Sequence, residues 1–388
     1  MMKRRVCFLV DSIFTIGGVQ RVTAVIAKEL AKDCDVTIVT LDKPEQQDTS
    51  LYGLGEARIA YRFFAYPEGK RWNYYLRKAY SMAYRRWLPQ TRMTSALYSH
   101  SSFPSEKRDA LAAELRQGDY DVIVGVHAPL AVRVAACKRQ LGKARLVGWI
   151  HNSYEALFGE QSLYIGSELR KYYEYQLKRL DATVVLSRDD ARKYPFRTQV
   201  IYNPLTLVPG TPSVGTSKKF LAIGRFSHRH KGFDLLIEAF HLFAGHDSEW
   251  TLDIVGEGPE EPLYRQLIER YRLQDRITIH PFTNQVQQYY GDAQVYVLSS
   301  RWEGFGLVLV EAMSHGLPVV SSDLPTSREI MGDFGLYFPV GDVQQLAQRM
   351  EEATHIDWQA KTKEALDIAQ RFDIAHIIPQ WKCLILNA

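Results

Sequence analysis

Cysteine is scarce in this chain. Four residues, Cys7, Cys34, Cys137 and Cys383, are scattered without metal-site spacing, and Cys7 and Cys137 sit in apolar segments. That usage excludes a disulfide-stapled secreted scaffold and fits a reduced, cytoplasmic protein. Long apolar runs are missing as well. No stretch approaches the roughly 20 residues that span a bilayer. The first apolar run, Val6–Val10, is too short for a signal-peptide core and is followed at once by Asp11. Any membrane contact is therefore expected to be peripheral. Neither sign of charge dominates, with 48 Lys and Arg against 44 Asp and Glu and a net charge of +4, so no nucleic-acid partner is expected.

What the chain does have is length and regular alternation. Its 388 residues are too many for one small core and suit two domains. Strand and helix signals alternate from end to end, which implies parallel sheets covered by helices. In the first half, strands are predicted at Val6–Val10, Asp35–Thr40, Asp121–Val124, Arg145–Ile150, Ala182–Leu186 and Gln199–Tyr202. In the second half they are predicted at Lys219–Ile223, Trp250–Val255, Arg276–Ile279, Gln294–Leu298 and Pro318–Ser321. Residues 203–218 carry three prolines, two glycines and no periodicity, and are expected to be a linker. The pattern thus gives an α/β protein with an N-terminal Rossmann-like domain over 1–202 and a C-terminal one over 219–370. A tail over 371–388 repeats Ile374, Ile377, Ile378, Trp381 and Leu384 at helical spacing, a stripe that must bury against something. Ligands are expected at the strand C-termini, facing a cleft.

One region breaks the alternation. From Arg58 to Arg108 basic residues, including Arg62, Lys70, Arg71, Arg77, Lys78, Arg85, Arg86 and Arg92, outnumber acids, of which only Glu68 and Glu106 occur. Aromatic residues from Tyr61 to Trp87 interleave them. Two readings stay open: a solvated helix with a packed aromatic face, or a patch for an anionic membrane surface or a lipid-diphosphate acceptor.

Four glycine-containing loops lie at predicted strand ends. Gly17-Gly18 precedes a helix and is either a plain tight turn or a place of close backbone approach to a bound group. The segment Gly224 to Gly232 is rich in cations. Arg225 ends a strand and Lys231 leads into a helix, as a diphosphate requires, whereas His228, Arg229 and His230 read as exposed loop residues. Gly256-Glu257-Gly258 alone is weak and reads as turn punctuation at another strand end of the same half. The most informative loop runs from Glu303 through Gly304-Phe305-Gly306 into an apolar helix containing Glu311. Its turn would leave the backbone N–H groups of Gly306, Leu307 and Val308 facing an anion, while the carboxylates choose hydroxyls. In the first half, His151 follows a strand at Trp149-Ile150-His151. His127 is a weaker rival for the same role.

With these residues identified, the chain resembles the retaining glycosyltransferases of family 4, of the two-domain GT-B class. The segment Glu303 to Glu311, EGFGLVLVE, matches the paired-glutamate motif of that family. Gly224 to Phe240 matches its diphosphate loop, and Ile16 to Arg21 its N-terminal glycine loop. The resemblance covers nearly the whole chain, is strongest over 218–342 and weakest over 42–118. It implies a nucleotide diphosphate sugar donor, UDP-linked by family frequency, with no metal and no other cofactor. Glu303 would lie against the sugar hydroxyls, Glu311 would hold the ribose, and Arg225 and Lys231 would neutralise the diphosphate. Phe305, Gly306, Leu307 and Val308 would line the pocket, and Gly17, Gly18 and Gly256 would be donor-side positions. His151 would touch the sugar near its C6 hydroxyl, and the tail helix would cross back to the N-terminal domain. The implied reaction transfers a hexose or N-acetylhexosamine with retention, to a saccharide or lipid-linked saccharide. The loop from Asp323 to Ile330 departs from the Gly-Pro pattern of many relatives. A nucleotide-sugar epimerase on the same architecture and a non-catalytic nucleotide-sugar sensor are the alternatives.

Overall fold

The computed structural model describes residues 3–68, 74–160, 162, 164–210, 212–213, 215–227, 230–245, 249–283 and 285–386. It divides into two compact units, one made of Met1–Asn203 with Ala375–Ala388, the other of Pro204–Ile374.

The first unit is built on seven strands: β1 Arg5–Val10, β2 Asp35–Thr40, β3 Ile59–Phe63, β4 Val122–Val126, β5 Arg145–Trp149, β6 Ala182–Val185 and β7 Gln199–Val200. All pair in parallel, in the order β3-β2-β1-β4-β5-β6-β7. The central strands β1 and β4 are buried along almost their whole length, because helices cover both faces of a parallel sheet. The second unit has six: β8 Lys219–Ile223, β9 Thr251–Val255, β10 Ile277–His280, β11 Val295–Leu298, β12 Val319–Ser322 and β13 Leu336–Phe338. They too are all parallel, in the order β10-β9-β8-β11-β12-β13. Its core packs Phe220, Phe240, Phe243 and Trp250 on one another.

This connectivity decides where a ligand can sit. In each sheet the chain adds strands outward to one side, then returns to the other side of its first strand. The strand order therefore reverses between β1 and β4 in the first unit and between β8 and β11 in the second. At such a switch point the two flanking loops leave in opposite directions and open a crevice at the strand C-termini.

Several elements depart from the sequence pattern. The aperiodic basic region contains β3 and three helices, Tyr74–Arg86, Arg92–Ser102 and Ser105–Gln117. Helix Tyr74–Arg86 buries only Tyr84 fully and carries apolar residues on its outer face too. Strand β3 is an edge strand, only half-buried. Lys70, Arg71 and Trp72 lie outside the described residues. The segment expected to be a linker is fastened to the second unit: Leu205 N–H donates to Phe372 O at 2.7 Å, and Gly210 N–H donates to His315 Nε2 at 3.0 Å. Helix Trp358–Gln370 was hidden because it buries only Ala365 and Ala369.

The tail helix, Ile374–Leu386, buries Ile377, Ile378, Trp381, Leu384 and Ile385. Trp381 meets Trp149 of β5 at 4.5 Å between ring centroids, and Lys382 pairs with Asp33 at 2.6 Å. The apolar stripe is thus covered by the N-terminal sheet and its flanking loops.

Candidate active site

The β8 and β11 loops of the second unit form one structure. Gly232 adopts a left-handed conformation (φ 65°), and a Cβ there would overlap the carbonyl oxygen of Ser299, so only glycine lets the loops meet. Ser299 Oγ donates to Lys231 O at 2.8 Å, and Arg301 N–H donates to His230 O at 2.8 Å. The His230 ring lies 2.6 Å from Trp302 O through Nε2 and stacks on the Trp302 indole, centroids 4.8 Å apart at 10°. His230 is therefore a clamp between the loops rather than a solvated loop residue, because its ring bridges to the facing backbone. His228 and Arg229 lie outside the described residues.

Across this junction Lys231 Nζ is 2.6 Å from Glu303 Oε1, and Ser300 Oγ donates to the same oxygen at 2.6 Å. The family resemblance implies that Lys231 and Glu303 serve different parts of a ligand; the fold also pairs them with each other. Burial pushes the Glu303 carboxyl up, but the Lys231 ammonium, His230 and the two hydrogen bonds outweigh it and hold the pKa below its ordinary value. Glu303 is thus a buried carboxylate that can accept from hydroxyls. An ammonium has three N–H groups, so Lys231 retains donors for a phosphate oxygen. Arg225, at the end of β8, is exposed, and its guanidinium has no carboxylate partner among the described residues.

Gly306 is left-handed (φ 82°) and turns the chain into the helix Leu307–Ser314. Among the described residues the N–H groups of Gly306, Leu307 and Val308 have no protein acceptor, and they form the first turn of that helix. Phe305 differs from expectation. Its ring is buried 5.6 Å from that of Phe372, so only its backbone can face a ligand. Glu311, buried one turn in, accepts from Tyr290 Oη at 3.0 Å. His315 stacks on Tyr290 at 5.0 Å and 23°; its Nε2 accepts from Gly210, so Nδ1 carries the proton donated to Glu311 O at 2.8 Å. Sequence reasoning missed Tyr290 and His315, since nothing in their spacing ties them to Glu311.

Gly256 has a packing duty at its strand end. A Cβ there would overlap Gly224 O, and Phe226 N–H donates to Glu257 O at 2.9 Å. Gly256 lets the β9 loop back the cationic loop, and its part is to shape the floor. Gly224 in turn leaves room for the Lys231 stem, whose Cγ would lie 2.8 Å from an added Cβ.

The remaining candidates belong to the first unit. Gly17 is extended (φ 178°) and its N–H donates to Tyr52 Oη at 2.9 Å, while Tyr52 donates to Thr15 O at 3.0 Å. Gly18 opens the helix Gly18–Leu30 beside the β1 end. His127 follows β4 at the switch point, with φ 71°, and its ring is 5.3 Å from that of His151. His151, just after β5, is buried against Trp149 at 4.3 Å, and neither ring nitrogen has a protein partner. Burial, with His127 adding to it, holds its pKa well below the ordinary value, so the ring is neutral near pH 7. His127 is shifted the same way by burial, opposed by Asp11. The two histidines lie side by side.

Comparison with known proteins accords with these features. Residues 16–209 match the family described as Glycosyltransferase Family 4, and residues 208–371 match Glycosyl transferases group 1. An uncharacterized glycosyltransferase of Haemophilus influenzae is 29% identical over 192 residues, 48% of this chain and 54% of that one. A phosphatidyl-myo-inositol mannosyltransferase of Mycobacterium leprae is 29% identical over 252 residues, covering 61% and 64%. A putative colanic acid biosynthesis glycosyltransferase, WcaL, of Salmonella typhimurium is 34% identical over 154 residues, 37% of each chain. The matches thus span from about a third to just under two thirds of these relatives' own length. Among solved structures, TarM superposes with a TM-score of 0.75 at 15% identity, over 99% of both chains. Alr3699/HepE of Anabaena, in complex with UDP, gives 0.75 at 20%, over 99% of this chain and 100% of that one. At those identities the likeness is one of fold, the GT-B arrangement of two Rossmann-like domains. The two family matches meet at residues 208–209 and leave only the chain ends uncovered: the chain belongs to the family 4, group 1 glycosyltransferases.

Proposed function

We propose that this protein transfers a hexose or N-acetylhexosamine from a nucleotide diphosphate sugar, UDP-linked, to a hydroxyl of a saccharide or lipid-linked saccharide, forming an α-linkage with retention. The observation that carries this is the convergence at one switch point of two cations, a helix N-terminus and two buried carboxylates. Related structures whose names specify UDP with glucose, or UDP with GlcNAc, support the choice of donor. Relatives named for amylovoran and colanic acid biosynthesis support an acceptor used in surface-polysaccharide assembly.

In this reading Glu311 accepts from the ribose hydroxyls, with Tyr290 holding its second oxygen. Glu303 accepts from the sugar hydroxyls. Arg225, Lys231 and the N–H groups of Gly306 to Val308 face the diphosphate. As the bond from the anomeric carbon to the diphosphate oxygen breaks, its electron pair passes to the leaving group, and these donors stabilise the developing charge. The acceptor oxygen bonds to the anomeric carbon on the same face, and its proton passes to a departing phosphate oxygen. No nucleophile from the enzyme is needed. His151, neutral, supplies a hydrogen bond to the sugar.

The test is a thermal-shift panel of nucleotide sugars, followed by product analysis with saccharide and lipid-linked acceptors. One nucleotide sugar should raise the melting temperature and yield an α-linked product, and Arg225→Ala should lower kcat about 100-fold with unchanged stability. Release of free epimerised sugar without acceptor would establish an epimerase instead. Tight binding with neither transfer nor hydrolysis would establish a sensor. Near wild-type turnover by Arg225→Ala would remove the diphosphate assignment.

A further inference from the structure

The helices Tyr74–Arg86 and Arg92–Ser102 carry a surface that the transfer reaction does not use. They pack antiparallel through their inner faces. Tyr84 stacks on Tyr98 at 4.5 Å and hydrogen-bonds Ser95 at 2.7 Å, Tyr80 Oη donates to Thr94 O at 3.0 Å, and Ser101 Oγ donates to Arg77 O at 2.7 Å. Tyr98 then anchors the pair to Tyr172 at 4.8 Å. The tyrosines facing inward thus account for the packing. They leave the outward apolar residues without a structural purpose.

Seven large apolar side chains on or beside these helices are exposed: Tyr74, Tyr75, Leu76, Met82, Trp87, Met93 and Leu97. Tyr75 is 77% exposed and Trp87 74%, values that a packed aromatic face would not show. The remaining exposed large apolar residues among the described ones are scattered along the rest of the chain, and such scatter is ordinary. A cluster of this size is not.

Charge gives the patch its partner. No acidic residue occurs between Tyr74 and Pro104, while Lys78, Arg86 and Arg92 are exposed on the same helices. On helix Tyr74–Arg86 the positions Tyr75, Met82 and Arg86 recur at i, i+7 and i+11, so the cation and the apolar groups share one stripe. The acid that follows in sequence, Glu106, is held by Arg77 at 3.5 Å, and Glu168 of a neighbouring turn acts on Arg85. Apolar residues that insert at the headgroup level, with cations among them and no carboxylate on either helix to repel phosphate, are the composition of an interfacial helix. A protein partner would be met by mixed charges at the rim, and a second copy of this chain would set cation against cation.

We propose that the outer face of this helix pair docks on a bilayer surface containing anionic lipid. No helix among the described residues is long and apolar enough to cross a membrane, so the contact is made from one side. The inference is independent of the transfer chemistry.

The experiment is co-sedimentation of the full chain with vesicles of phosphatidylcholine alone, and with about one third phosphatidylglycerol. Wild type should bind the anionic vesicles and release them as salt rises. The triple reversal Lys78→Glu, Arg86→Glu, Arg92→Glu should weaken binding by about 100-fold or more, at about fivefold per charge removed. Tyr75→Ser with Leu76→Ser and Trp87→Ser should abolish it at the same net charge. Both variants should keep the wild-type melting temperature and donor turnover, which separates this surface from the catalytic reading. Equal affinity for the two vesicle types, or binding unaffected by either variant, would overturn the proposal. So would a wild-type dimer that the variants dissociate while vesicle binding is absent, since a second copy would then be the occupant.

Discussion

Removing the charge of Lys231 while keeping its stem isolates the most consequential contact in the second unit. In Lys231→Met the aliphatic chain still covers Gly224, but Glu303 loses its cation. The side chains of this pair are only 14% and 7% exposed, so water screens the loss poorly. Breaking a buried pair by deleting one partner costs about 3–5 kcal/mol. Ser300 still donates to Glu303 Oε1, which places the variant at the lower end, about 3 kcal/mol. For a unit of this size that is a fall in melting temperature of about 6–12 °C. Glu303→Gln should also destabilise, by stranding the ammonium. The double variant Lys231→Met, Glu303→Gln should be less damaged than the two singles added together, with a coupling of about 2 kcal/mol from thermal or urea unfolding followed by circular dichroism.

The pH dependence gives an independent check. Glu303 has a depressed pKa in the folded state, so its contribution is present above the unfolded value and is lost as pH falls through the folded one. In Lys231→Met burial is opposed only by His230 and the Ser300 hydrogen bond, and the carboxyl becomes easier to protonate. The stability gap between wild type and variant should therefore be widest near pH 7 and narrow as pH falls through the carboxylate range. A variant within 0.5 kcal/mol of wild type, additive singles, or a gap that does not change with pH would each refute the ion pair as the element that holds Glu303 ionised.

Three further outcomes are expected. Tyr290→Phe removes the donor to Glu311 Oε2 and should destabilise by about 1–3 kcal/mol and raise the donor KM several-fold with little change in kcat; an unchanged KM would detach Glu311 from donor binding. Gly256→Ala forces a Cβ against Gly224 O, and should lower both melting temperature and turnover; a neutral result would return Gly256 to plain turn punctuation. His151→Ala should reduce kcat/KM about 10- to 100-fold while leaving the shape of the pH profile between 6.5 and 8 unaltered, because the wild-type ring, with its pKa depressed by burial, stays neutral across that window; a limb in this range that disappears with the histidine would refute its neutrality.

The alternation of apolar strand segments with amphipathic helices was enough to predict two parallel α/β halves, since a strand buried on both faces has to be continuously apolar. The glycine turns were legible for a similar reason: Gly306 and Gly232 both adopt conformations with φ near +80° and +65° that other residues avoid. The individual helices of the basic aromatic region were not legible, because its dense basic charge and few buried positions resemble a solvated loop. There the outer face carries Tyr75, Leu76 and Trp87.

The candidate site divides along the same line. Local sequence determined which residue types stand at each strand end: the cations of the β8 loop, the paired glutamates and the glycine turn between them. Tertiary structure alone decided their partners. Strand order brings β8 and β11 side by side, so Lys231 meets Glu303 across 72 positions of chain and His230 closes on Trp302. It likewise sets Tyr290 under Glu311 and pairs His127 with His151. Such contacts depend on the crossover connections of the sheet, a long-range property that no local pattern encodes, whereas backbone conformation and burial leave their mark on each segment separately.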